Sequence, residues 1–108
     1  MWMFTTFGFF SVVEKGRGDL LCVRARARED LDRLRQRYLP ALSETESDVG
    51  TDYEHRAWVA RADLSSAIAR ILDDLHYSNF KSEVEHELGH DRAHTYLKVW
   101  RDLREVAR

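Results

Sequence analysis

Residues 20–28 alternate between apolar and cationic side chains, and this alternation constrains the fold more than any other feature of the chain. Successive side chains of a β-strand point to opposite faces of a sheet, so a period of two indicates a strand with one buried face. The pattern predicts that one set of side chains faces a core and that the other set faces water or a ligand. The core set is Leu21, Val23, Ala25 and Ala27, and the other set is Arg24, Arg26 and Arg28.

A second run typical of a strand precedes this one, and a loop with two glycines separates them. Residues 7–14 are aromatic and β-branched, and residues 15–19 contain Gly16 and Gly18. Glycines supply the backbone freedom that a hairpin loop needs, so the two runs are predicted to pair as antiparallel strands. A third strand is predicted over residues 53–61, where aromatic and β-branched side chains recur.

Helical spacing begins after the second strand. Leu31, Leu34 and Tyr38 fall at i, i+3 and i+7, and Pro40 follows them, which predicts a helix that ends before the proline. Residues 43–51 are polar and acidic and are predicted to form a surface loop.

Three further helices are predicted in the second half of the chain. Asp63 is the expected N-cap of the first, whose apolar residues form a wide stripe. The next runs from Phe80 to Gly89, and Asp91 is the expected cap of the last.

The order of these elements predicts an α+β fold. The fold consists of a small antiparallel sheet of about three strands, in the order β-β-α-β-α-α-α, with helices packed on one face. A chain of 108 residues has room for one core, so we expect a single α+β domain over residues 1–108.

Charge, cysteine content and the N-terminal stretch indicate the environment of the protein. A formal net charge of −2 provides no overall field to attract nucleic acid, so a site for a polyanion would have to be local. The one cysteine, Cys22, cannot form an intrachain disulfide, which favours a reducing compartment. Residues 1–13 lack the features of a signal peptide and are fewer than the roughly 20 that a membrane helix needs. We therefore expect a cytoplasmic protein without a membrane partner.

Several segments resemble an uncharacterised family of short bacterial proteins. They are WMFTTFGFFS at residues 2–11, TDY at 51–53 followed by Arg56, YSNFK at 77–81, and RAH at 92–94 before Val99 and Trp100. The family pattern has a proline after TDY, whereas this chain has Glu54 there, so the entry into the third predicted strand departs from the family pattern. The resemblance implies a bacterial, cytoplasmic protein and assigns no catalytic residue, cofactor or partner.

The segment His-Glu-Leu-Gly-His at residues 86–90, followed by His94, matches the helical zinc motif of metallopeptidases. That motif requires both histidines on one face of a continuous helix. Gly89 followed by Asp91 instead predicts that one helix ends and another begins between His86 and His90. We therefore assign no metal site to His86, His90 or His94 and regard a zinc metallopeptidase as a disfavoured alternative.

The cationic side of the predicted sheet is the stronger candidate site. Arg24 and Arg26 share one strand parity, as do Arg56 and Trp58 in the third strand, and Phe10 and Val12 in the first. If these parities fall on one face, guanidinium groups and an aromatic ring lie together, as on surfaces that stack bases and bind phosphates. The candidate binding residues are therefore Arg24, Arg26, Arg56 and Trp58. A half-exposed strand without a ligand would show the same alternation.

The N-terminal decapeptide carries more aromatic residues than a short edge strand needs to bury, namely Trp2, Phe4, Phe7, Phe9 and Phe10. Such surfaces are common at protein interfaces, and an exposed edge strand can pair with another copy of itself. The sequence therefore predicts a binding or protein-interaction module rather than an enzyme, with no cofactor and with a protein partner or self-association. Binding of a single-stranded nucleic acid or a nucleotide on the arginine and aromatic side chains is the alternative.

Overall fold

The alternating segment forms the central strand of an antiparallel sheet. A computed structural model describes residues 1–47 and 50–107 of the chain. Its strands are β1 (Trp2–Thr5), β2 (Gly8–Glu14), β3 (Leu20–Ala25), β4 (Glu46–Ser47) and β5 (His55–Ala60). Its helices are α1 (Arg28–Arg37), α2 (Arg61–Asp73), α3 (Phe80–Leu88) and α4 (His90–Leu103), and a 3₁₀ turn follows at Arg104–Ala107.

All the strand pairs are antiparallel, and the order β1-β2-β3-β5-β4 confirms the α+β class. The expectation of about three strands is wrong, because the described residues form a sheet of five strands. β1 forms because the chain reverses tightly between Thr5 and Gly8, where the Thr5 hydroxyl donates to the Gly8 carbonyl oxygen at 2.7 Å. β4 is a two-residue strand within the acidic segment that the sequence predicts as a loop. Residues 48 and 49 of that segment lie outside the described residues.

One face of the sheet packs against α1 and α2 and forms the core. Leu21, Val23 and Ala25 of β3 are buried there, as the alternation predicts. Neighbouring strands contribute the side chains of the same face, which are Phe10, Val12, Ala57 and Val59. The helices complete the core with Leu31, Leu34, Leu64 and Ala67. The prediction of helices on one face is correct for these two helices.

The start of α2 differs from the prediction. The helix begins at Arg61, directly after Ala60, so Asp63 lies in the first turn and is not the N-cap. The helix dipole favours an acidic side chain in the first turn, and capping favours one at the N-cap. The sequence pattern does not distinguish these two positions.

A buried carboxylate joins α1 to the first hairpin. Asp30, in the first turn of α1, is 2% exposed, and its Oδ2 accepts a hydrogen bond from Phe9 N at 3.0 Å. Its Oδ1 accepts one from Arg33 Nη2 at 2.5 Å, and Arg33 Nε donates to the Phe7 carbonyl oxygen at 2.7 Å. A buried charge is tolerated when it is both paired and hydrogen-bonded, and here it is both. We call this arrangement of Asp30, Arg33 and the backbone of Phe7 and Phe9 the Asp30 clamp.

The Asp30 clamp requires glycine at position 8. A Cβ atom there would lie 2.8 Å from both Cβ and Cγ of Asp30 and 2.9 Å from the Phe10 ring. The hairpin can approach α1 this closely because Gly8 has no side chain.

Contacts divide the chain into two units, Met1–Leu75 and His76–Arg108. The second unit contains α3, whose N-terminus is capped by Asn79 through a hydrogen bond from Ser82 N at 2.9 Å. Gly89, with a φ of 96°, separates α3 from α4. α4 begins at His90, so Asp91 lies in its first turn rather than at its cap. Within residues 1–47 and 50–107, no helix combines the length and the apolar character that crossing a bilayer requires.

Replacing Asp30 with alanine removes the acceptor for Phe9 N and leaves the Arg33 guanidinium without its carboxylate. We expect the free energy of unfolding to fall by about 3 kcal/mol, measured by urea denaturation followed by circular dichroism. Asp32→Ala is the matched control, because Asp32 pairs with Arg35 at the same i,i+3 spacing but its side chain is 53% exposed. That variant should lose at most about 1 kcal/mol. Equal losses in the two variants would contradict the role of the clamp.

Candidate arginine face

The register of β3 and β5 places Arg24 directly opposite Arg56. Ser11 of β2 lies on the other side of Arg24, and Glu46 of β4 lies beyond Arg56. Cross-strand partners share a face, so these side chains form one row across the sheet. The row lies on the face opposite α1 and α2, because Val23, the neighbour of Arg24 in β3, faces the core.

Tyr53 brings Arg26 to this row, although β3 ends one residue before Arg26. The guanidinium carbons of Arg24 and Arg26 lie 4.6 Å and 5.2 Å from the centroid of the Tyr53 ring. Phe9 lies beside the same ring, with 6.4 Å between the two centroids. Tyr53 is held in a turn before β5, where the Thr51 hydroxyl donates to its carbonyl oxygen at 2.8 Å. The ring therefore gathers two cations by cation–π contact.

Trp58 lies on the same face, two residues beyond Arg56 in β5, and pairs with Cys22. The residue is 8% exposed. Its indole Nε1 donates to Glu46 Oε2 at 3.2 Å, and the guanidinium carbon of Arg17 lies 3.7 Å from its ring centroid. The structure thus brings the four predicted site residues to one surface. We call this surface the arginine face and define it by Arg17, Arg24, Arg26, Tyr53, Arg56 and Trp58.

The central arginines of this face are incompletely paired. Arg24 Nη2 donates to the neutral Ser11 hydroxyl at 2.8 Å. In the part of the chain that the structure describes, Nε of Arg24 and Nε of Arg56 are buried and have no hydrogen-bond partner. Like charges opposite each other destabilise a sheet, and a buried donor without an acceptor costs about 1–3 kcal/mol. An anion between the two guanidinium groups would reduce both costs.

Phe10 and Val12 of β2 do not lie on the arginine face. The register pairs Ser11 with Arg24 and Val12 with Val23, so Phe10 and Val12 belong to the core. A slip of one residue exchanges the two faces of a strand, and the alternation within one strand does not specify its register against the next.

Sequence reasoning did not identify Tyr53 and Arg17 as members of this surface. Tyr53 shares the parity of the core residues in the predicted strand, but it lies before β5 begins, so the alternation does not apply to it. Arg17 lies in the loop between β2 and β3, and no sequence signal indicates which ring its side chain contacts.

An aromatic cluster continues the row at the β1 edge of the sheet. Trp2 pairs with Ser11, and its ring lies 5.7 Å from that of Phe9 in an edge-to-face arrangement. Phe4 stacks on Phe9 with 4.5 Å between the centroids. Trp2 is 63% exposed, so part of this aromatic surface contacts solvent.

The histidine motif is divided between two helices. His86 belongs to α3 and His90 to α4, and Gly89 lies between them, which confirms the predicted break. The rings of His90 and His94 stack on α4 with 6.2 Å between their centroids. Among the residues described, no group of three His, Cys, Asp or Glu side chains is placed to hold a metal ion. The geometry does not favour the helical zinc motif of a metallopeptidase.

Cys22 lies two residues before Arg24 in β3, pairs with Trp58 of β5 and is fully buried. Burial raises the pKa of the Cys22 thiol, and the positive charges of Arg56 and Arg24 oppose this effect only in part. The thiol therefore stays protonated to a higher pH in the folded chain than in the unfolded one. This protonation state suits a structural role rather than a nucleophile.

The raised pKa of Cys22 predicts a loss of stability at alkaline pH. The folded state binds the thiol proton more tightly than the unfolded state does. The contribution of the thiol to the free energy of unfolding is therefore complete below the unfolded pKa of about 8.5 and decreases as the pH rises towards the folded pKa. We expect the difference in unfolding free energy between the wild type and Cys22→Ala to shrink above about pH 8.5, measured by urea denaturation. A difference that does not change with pH would contradict the raised pKa.

Comparison with known proteins supplies no relative from which a role could be transferred. No protein-family model, no curated protein and no solved structure matched the chain. The function is therefore inferred from the geometry and charge of the arginine face.

Proposed function

We propose that this chain is a non-enzymatic binding module, bacterial and cytoplasmic, that binds a single-stranded nucleic acid or a nucleotide on the arginine face. The observation that carries the proposal is the opposition of Arg24 and Arg56. Each of the two has a buried Nε without an acceptor among the described residues. A phosphate group offers several acceptor oxygens to such a pair, and the planar guanidinium group suits phosphate geometry.

The distribution of charge supports an anionic ligand at this place. The chain as a whole has a formal net charge of −2, whereas the arginine face gathers four arginines around Tyr53 and Trp58. Glu46 lies at the end of the row and receives the Trp58 indole N–H, so it does not separate Arg24 from Arg56. Attraction of a polyanion is therefore local to this surface.

The neighbouring rings support a nucleic acid rather than an acidic peptide. Phe9 and Tyr53 adjoin the arginines, and the exposed ring of Trp2 extends the surface. Stacking of one base on an aromatic side chain contributes about 1–3 kcal/mol, and single-stranded ligands present bases that are free to stack. An acidic peptide would use the arginines but would gain little from these rings.

Fluorescence anisotropy with a labelled oligothymidylate at low and at moderate salt tests this proposal. We expect binding that weakens with salt, and we expect Arg24→Ala and Arg56→Ala each to weaken it by about tenfold and to lower the salt slope by about 1. Arg101→Ala is the matched control, because it removes the same charge from an exposed position on α4. Absence of binding, or equal losses in all three variants, would contradict the proposal.

A second candidate is self-association through β1. β1 is an edge strand, and its first residue carries the exposed Trp2 ring. Met1 N donates to the Val12 carbonyl oxygen at 2.9 Å, and Val12 N donates to the Met1 carbonyl oxygen at 2.8 Å. In an antiparallel pair the next residue, Trp2, then directs its backbone N–H and C=O away from β2, where a strand of another copy could bind them.

Analytical ultracentrifugation distinguishes this candidate. If two copies pair through β1, Trp2→Glu should raise the dissociation constant of the dimer by about 10-fold or more, because it places a charge in the apolar contact. Trp100→Glu is the matched control, since Trp100 on α4 is 61% exposed, close to the 63% of Trp2. A wild type that remains monomeric at high concentration would exclude pairing between copies.

A further inference from the structure

Arg17 lies over the Trp58 ring and makes the closest cation–π contact on the arginine face. Its guanidinium carbon lies 3.7 Å from the Trp58 centroid, compared with 4.6 Å and 5.2 Å for the two arginines at Tyr53. At this distance the guanidinium group lies over the Trp58 ring and in contact with it. The guanidinium group therefore occupies the position that a stacked nucleobase would take.

The Trp58 ring is held in place from several directions. Its indole Nε1 donates to Glu46, its backbone N donates to Ser43 Oγ at 2.8 Å, and its carbonyl oxygen accepts from Ser43 N at 2.9 Å. A ring whose position is already determined loses little conformational freedom when a ligand stacks on it. Trp58 is thus preorganised for stacking, and Arg17 is the group on its surface.

Arg17, in contrast, lies in an exposed loop between two glycines. Gly16 and Gly18 flank it with φ values of 74° and 60°, and a Cβ at either position would meet no atom within 4 Å. Arg17 is exposed, so solvent lies beyond its guanidinium group. An exposed cation–π contact contributes less free energy than the stacking of a base on an aromatic ring, so a base can replace it.

The spacing of the face also matches a nucleotide. Arg56 and Trp58 are two residues apart on one face of β5, a separation of about 6.8 Å along the strand. A nucleotide carries its phosphate one sugar away from its base. A phosphate beside Arg24 and Arg56 would therefore leave the base of the same nucleotide near Trp58.

We propose that Trp58 is the base-stacking position of the arginine face and that Arg17 occupies this position in the free protein until a base displaces it. This inference depends on the proposed binding of a nucleic acid or nucleotide. It assigns base recognition to Trp58 and assigns to Arg17 the role of an internal competitor that lowers affinity for ligands with a base.

Two probes of equal charge test the displacement, namely an oligothymidylate and an abasic oligonucleotide of the same length. The ratio of the protein's affinities for the two probes measures the contribution of the bases, because the loss of an arginine charge weakens the binding of both probes alike. We expect the wild type to prefer the oligothymidylate and Arg17→Ala to increase that preference about two- to fivefold. Lys15→Ala, which removes a neighbouring exposed cation from the same loop, should leave the ratio unchanged.

The indole N–H resonance of Trp58 provides the second readout. It is assigned by elimination with Trp2→Phe and Trp100→Phe, whose rings are exposed. We expect it to shift with the oligothymidylate and to remain in place with the abasic probe. Salt-dependent binding of both probes, with an unchanged ratio in Arg17→Ala and an unmoved Trp58 resonance, would overturn the displacement and leave the proposed function intact. Binding of neither probe would overturn both.

Discussion

The buried carboxylate of Asp30 is the contact on which the arrangement of the sheet depends. It binds Phe9 N and the Arg33 guanidinium, while Arg33 binds the Phe7 carbonyl oxygen. These bonds hold the turn between β1 and β2 against the first turn of α1, at a distance that only glycine at position 8 permits. β2 pairs with both β1 and β3, so the clamp joins α1 to a strand whose opposite face places Ser11 between Trp2 and Arg24.

One face of the sheet packs into the core and stabilises the fold, and the opposite face carries the proposed binding site. β3 directs Leu21, Val23 and Ala25 into the core and Arg24 to the opposite face. The core residues supply the burial that stabilises the fold, whereas the opposition of Arg24 and Arg56 lowers stability. The contacts of Arg24 with Ser11 and Tyr53 offset part of this cost, whereas the buried Nε–H groups of Arg24 and Arg56 have no acceptor among the described residues. This cost is what a binding role for the face would explain.

Alternation and glycine positions predicted the parts of the structure that depend on local sequence. The two faces of β3 follow directly from the pattern of residues 20–28, and the break between α3 and α4 follows from Gly89. The presence of Arg24, Arg56 and Trp58 on one face follows from strand parity within β3 and β5, provided that the two strands pair in the observed register.

The remaining features depend on contacts between distant segments. β1 and β4 are four and two residues long, so their pairing depends on tertiary contacts rather than on a local pattern. The placement of Phe10 and Val12 depends on the register between β2 and β3, which a single strand does not encode. The contacts of Tyr53 with two arginines, and of Arg17 with Trp58, arise from loops whose path only the folded chain determines.

Binding of phosphate by Arg24 and Arg56, whose buried Nε–H groups have no acceptor among the described residues, can be followed by NMR of arginine side chains. A titration of ¹⁵N-labelled protein with an oligothymidylate would follow the Nε–H resonances of Arg24 and Arg56. Such binding of phosphate predicts that both resonances shift and that their exchange with solvent slows, together with changes in the amides of β3 and β5. Unchanged Nε–H resonances of Arg24 and Arg56 at saturating oligonucleotide, or shifts confined to α3 and α4, would contradict it.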